Sequence, residues 1–152
     1  MSLEDLCKFG TLEKHKTSPQ EIKNLFGVAE RCLKDAAQEA ISLDLRFIAA
    51  YQAALAVGEA LLCAMGYKAP KNNYHYMVWE ALKHALDASF KDTLNLFNDA
   101  RSKRGDAFYD HASVTSETEY KEILKESDKL VGFVRNKIKK DYSEFGKYKV
   151  QR

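Results

Sequence analysis

The stretch FIAAYQAALAVGEALLCAM, residues 47–65, is apolar on nearly every side and shows no two-residue alternation. A helix that is hydrophobic all round lies either in a protein core or in a membrane. This run is largely alanine and carries Gln52, Gly58 and Glu59. Its reading is therefore the central helix of a soluble bundle, with no membrane span. Ser42 marks its start, and Gly66 marks its end as a left-handed cap.

Working outward, Ser18-Pro19-Gln20-Glu21 combines a capping serine, a first-turn proline and the acidic residue of a capping box. Ile22, Leu25, Phe26, Ala29, Leu33, Ala36 and Ala40 then mark one apolar face, with Lys23, Glu30, Lys34 and Glu39 turned out. After a turn at 68–73, residues 74–86 predict a third helix with Met77, Val78, Ala81, Leu82 and Ala85 inward. Asp87-Ala88-Ser89 breaks it, and a fourth helix is expected from 90 to about 111. Ser116-Glu117-Thr118-Glu119 is a second capping box, opening a fifth helix through Ile123, Leu130, Phe133, Val134 and Ile138. No segment reads as a strand. The expected architecture is all-α, an up-and-down helical bundle of about five helices. Residues 1–17 form an N-terminal segment, 18–140 the bundle and 141–152 a basic C-terminal tail.

The chain has 152 residues, enough for one domain. With 30% charged residues but a net charge of only +2, any affinity for nucleic acid must be local. From Arg135 to Arg152 there are seven basic and two acidic residues, a pattern that suits a solvated helix end or a phosphate backbone. Cys7, Cys32 and Cys63 lack CxxC spacing, and MSLEDLCKFG lacks the order of a signal peptide, so a reducing, cytoplasmic setting is expected. No histidine pair has zinc-like spacing, and there is no glycine-rich phosphate loop or nucleophile elbow. Neither a metal nor a cofactor is expected.

The chemistry concentrates in RSKRGDAFYDH, residues 101–111. Phe90, Leu94 and Phe97 mark an inward helical stripe, and the same rhythm continues to Arg101, Arg104, Phe108 and His111. The apolar members of that stripe predict a homodimer built partly on this helix. Arg104 and His111 fall within about 20° of each other and about 10 Å apart along the axis. Metal-free RNA cleavage needs a base, an acid and positive charge on the phosphorane, which imidazole and guanidinium supply. A twofold axis would bring two such pairs together. The structural alternative is that Arg104 pairs with Glu59 or Asp44, and that His111 is a cation favourable to the helix C-terminus. Asp106 and Asp110 share a face either as a carboxylate pair or as solvated charges. Tyr74, His75, Tyr76 and Trp79 form an aromatic cluster that suits base stacking or core packing.

Two stretches carry a family resemblance. The first runs from Asp44-Leu45-Arg46-Phe47 through Ala50-Tyr51-Gln52-Ala53-Ala54 to Ala60-Leu61-Leu62 and Gly66-Tyr67; the second is Lys103-Arg104-Gly105-Asp106-Ala107-Phe108-Tyr109-Asp110. In both, the chain resembles the HEPN (higher eukaryotes and prokaryotes nucleotide-binding) domain family across about residues 18–140. The resemblance implies a homodimer that binds RNA, a nucleotide or a protein partner around Arg104; with the cationic stripe, the expected binding residues are Arg101, Arg104, Asp106 and Tyr109. The implied partner is a nucleotidyltransferase or an antitoxin. The alternative it implies is a toxin-like, metal-independent endoribonuclease with Arg104 and His111, six residues between them, as catalytic residues. Tyr109 stands where the shorter family spacing has histidine, and Gly105 where asparagine commonly follows the arginine. Relatives with that tyrosine are thought to be binding or scaffold modules.

Overall fold

The computed structural model describes residues 1–109 and 115–146, without the side chains of 105–109. Along the chain come α1 (Leu3–Lys8), β1 (Glu13–Lys14), α2 (Pro19–Ala36), α3 (Leu43–Met65), β2 (Tyr67–Lys68), α4 (Tyr74–Ala85), α5 (Lys91–Tyr109) and α6 (Glu117–Asp141). Short 3-10 turns occupy Ala88–Phe90 and Ser143–Phe145. The protein is an all-α helical bundle, and α3 is its axis: α2, α4, α5 and α6 all pack against it. Ser42 caps α3 by accepting from Leu45 N–H, and Gly66 closes it at φ 98°, a left-handed conformation that glycine adopts without Cβ strain. Tyr51, Val57, Ala60 and Leu61 are fully buried. By length and composition α3 is apolar enough to cross a membrane, but most of it is buried within the fold.

Gly58 sets how closely α3 and α4 approach. A Cβ there would lie 3.0 Å from Leu82 Cδ1 and 3.3 Å from Val78 Cγ1. Gly58→Val therefore overpacks this contact and is expected to cost about 1–3 kcal/mol in urea unfolding. A midpoint and slope equal to wild type would place α4 further from α3 than it stands here.

A two-stranded antiparallel ladder joins β1 to β2, with Glu13 opposite Lys68 and Lys14 opposite Tyr67. Sequence reading finds no strand, because two residues are too few for alternation to register. The pairing exists because the Gly66 cap turns the chain back alongside residues 13–14. Residues 1–17 are thereby part of the bundle. Leu6 and Leu12 enter the core, a capping box links Ser2 and Asp5, and Tyr67 Oη donates to Glu4 at 2.8 Å.

Two surface expectations change. Glu30 is buried rather than exposed and pairs with Arg135 across α2 and α6. Ala40 lies beyond the end of α2 at Ala36 and is exposed. The orphan carbonyl of Ala36 instead accepts from Arg46 Nε at 3.0 Å and Tyr120 Oη at 2.7 Å. Arg46 also donates to Tyr120 Oη at 2.8 Å and lies over its ring. Asp44 accepts the buried Thr115 N–H at 2.8 Å. The charged residues at the start of α3 thus clasp the beginning of α6.

Candidate functional site

On α5 the inward stripe is present at Leu94 and Phe97, and these apolar members serve the protomer itself; the side chain of Phe108, and His111, lie outside the described residues. Leu94, Phe97 and Ala100 are buried. Leu94 and Phe97 therefore supply no free surface for a second copy. Phe97 stacks on Trp79 of α4, with centroids 4.9 Å apart. Trp79 Nε1 donates to Tyr51 Oη on α3 at 3.1 Å, and the same oxygen meets His75 Nδ1 at 2.9 Å. The Tyr51 and His75 rings stack at 5.7 Å. A continuous chain of contacts thus runs from the core face of α5 to the imidazole on α4.

The next steps of the stripe are Arg101 and Arg104, both partly buried. Arg101 lies 5.6 Å over the ring of exposed Tyr76, and its Nε donates to Asn98 Oδ1 at 3.3 Å. Arg104 Nε is buried and has no hydrogen-bond partner among the described residues. Burying a guanidinium N–H without an acceptor costs free energy. Burial, then Arg104, then Arg101 lower the pKa of His75 below its usual value. Its imidazole is therefore neutral near pH 7. Burial pushes the Tyr51 hydroxyl up to about 12, so it stays protonated.

Of the two carboxylates expected as structural partners for Arg104, Asp44 accepts from Thr115 N–H, and Glu59 lies near the Tyr74 hydroxyl. Neither forms an ion pair with Arg104 among the described residues. Lys103, beside Arg104 in sequence, pairs with Glu119 at 2.8 Å and ties α5 to α6. Asp106 and Tyr109 belong to α5, but their side chains lie outside the described ones; His111 and Asp110 lie outside the described residues altogether. The residue that sequence reading undervalued is His75. Its signal was the spacing of His75 and Trp79, one helical turn apart, which lets both reach Tyr51.

A second polar cluster sits at the other end of α3. His15 Nε2 lies 2.6 Å from Glu21 Oε1, which also accepts from Thr17 Oγ1 at 2.6 Å. Cys63 adjoins them, with burial pushing its thiol up to about 12. Glu59, one turn earlier on α3, is pushed up to about 7 by burial, an effect partly offset by the nearby Tyr74 hydroxyl. A carboxyl raised in the folded state favours folding below its model value of 4.5 and loses that contribution as pH rises through about 7. Glu59→Gln is expected to remove this slope and add about 1–3 kcal/mol of stability at alkaline pH. Melting curves on either side of neutrality, in EDTA, would check it. An unchanged pH dependence would show that Glu59 ionises freely.

Comparison with protein-family models, with curated proteins and with solved structures finds no match for this chain.

Proposed function

We propose that this chain is a HEPN-like, homodimeric binding module that holds single-stranded RNA or a nucleotide by its phosphate, of the toxin–antitoxin or nucleotidyltransferase-associated type. The observation that carries the reading is the buried Nε of Arg104, without a hydrogen-bond partner among the described residues, within electrostatic reach of the Tyr51–His75 pair. Guanidinium presents a planar fork of donors that matches phosphate oxygens. Arg101 adds a second charge over Tyr76, whose exposed ring suits base stacking. The resemblance supports the same region, since Asp44–Leu62 of its first motif lie on α3 and Lys103–Tyr109 of its second on α5, and these helices pack together. One protomer offers the phosphate a single side of such a site. A twofold partner would close it, and a nucleotidyltransferase or antitoxin would engage the assembled dimer.

Fluorescence anisotropy with a short single-stranded RNA and with a free nucleotide, together with light scattering, tests the reading. Expected are a dimer and salt-sensitive binding without loss of intact RNA. A monomer at tens of micromolar, or no binding of either ligand at low salt, would overturn it.

One observation favours a second reading, a metal-independent endoribonuclease. His75 is a neutral imidazole beside two guanidinium groups, which suits a general base for a 2′-hydroxyl. In this reading Arg104 and His111 act as the resemblance implies, with His75 assisting. Cleavage of single-stranded RNA in EDTA, leaving 2′,3′-cyclic phosphate ends, would favour it over binding alone.

A further inference from the structure

The polar cluster at the C-terminal end of α3 brings together three kinds of donor from three parts of the chain. His15 follows β1, Glu21 lies in the first turn of α2, and Cys63 lies in the last turn of α3. His15 Nε2, a Glu21 carboxylate oxygen and Cys63 Sγ all lie within 4.8 Å of one another. Each is held from behind. His15 N–H donates to Gly66 O at 2.9 Å, and Ser18 caps the turn that carries Glu21. Cys63 is buried in a helix that the bundle surrounds.

The geometry points to a site for a thiophilic divalent cation of the zinc class, with His15 Nε2, Glu21 Oε1 and Cys63 Sγ as its ligands. Nitrogen and sulfur ligands at zinc bond lengths, arranged tetrahedrally, stand about 3.3–3.6 Å apart. The three atoms lie within 4.8 Å of one another, so reaching that separation takes shifts of about 1 Å. The 2.6 Å His15–Glu21 contact need only open by under about 1 Å. The donor set selects the metal: thiolate with imidazole favours zinc, whereas magnesium and calcium require oxygen. Thr17, donating to Glu21, would orient that carboxylate toward the ion. On binding, the Cys63 thiol gives up its proton to solvent and the thiolate bonds the metal. Such an ion would fasten the segment before α2 to the end of α3, far along the chain from the arginines of α5.

Full-length protein, stripped with EDTA and titrated with cobalt and zinc, tests this. Cobalt is expected to bind at one equivalent with a thiolate-to-metal charge-transfer band, and excess zinc to displace it. Zinc at about a hundredfold over its Kd should raise the melting temperature by about 5 °C or more. Cys63→Ser should abolish the band, Cys7→Ser should leave it, and His15→Gln should weaken zinc binding at least about tenfold. No band, or one lost in Cys7→Ser and kept in Cys63→Ser, would overturn the inference. If Cys63→Ser does not fold, His15→Gln decides, because its half-buried ring lies on a loop. Unchanged zinc affinity in that variant would also overturn it.

Discussion

Replacing Arg104 by alanine is expected to weaken binding of single-stranded RNA or nucleotide by about 10–100-fold, while the melting temperature stays level or rises. The affinity figure follows from losing one charge-assisted contact, worth about 1.5–3 kcal/mol. Stability moves the other way. Arg104 Nε is buried without an acceptor among the described residues, so its removal relieves a desolvation cost. A residue that was merely structural would show the reverse: lower melting temperature, unchanged affinity. Arg104→Lys separates charge from geometry, since an ammonium keeps the charge but loses the planar fork. It should recover less than half of the lost binding free energy. Isothermal titration beside thermal melts reads both quantities. Loss of stability without loss of binding would remove Arg104 from the site.

Trp79→Ala is expected to cost about 3–5 kcal/mol, the largest stability loss among the substitutions considered. Trp79 is fully buried, stacks on Phe97 and donates to Tyr51 Oη, so one side chain joins α3, α4 and α5. Removing it leaves a cavity and takes a donor from the hydroxyl that meets His75. Trp79→Phe keeps one aromatic ring against Phe97 but loses the N–H and part of the bicyclic ring, for an expected loss of about 1–3 kcal/mol. Both variants are measured by chemical denaturation. Equal losses would mean that the phenyl ring recovers none of the packing on Phe97.

The helices were legible in the sequence because their signals are local. Caps at Ser18, Ser42 and Ser116 satisfy backbone groups within a few residues, and each is present as a side-chain hydrogen bond. The apolar faces of α2, α4 and α6 repeat at helical spacing and point inward because burial rewards that spacing. α3 was placed at the centre because a helix without a polar face has nowhere else to go. The candidate site was legible only in part. Arg101 and Arg104 stood out by interrupting an apolar stripe, a pattern visible along one helix.

Other features depend on which distant residues meet, and no local period encodes that. The β1–β2 ladder needs the Gly66 turn and the packing of α1. Glu30 looked like a solvent-facing charge until Arg135 arrived from α6. His75 joins the arginines only because α4 and α5 pack side by side through Trp79 and Phe97. The cysteines lacked metal spacing in sequence, yet Cys63 meets His15 and Glu21 from two other elements. Helix type, the capped starts at Ser18, Ser42 and Ser116, and the buried axis were determined by the sequence alone, through short-range hydrogen bonds and hydrophobic periodicity. Which polar groups share a pocket was decided only by tertiary packing, because bringing distant residues together depends on the whole core.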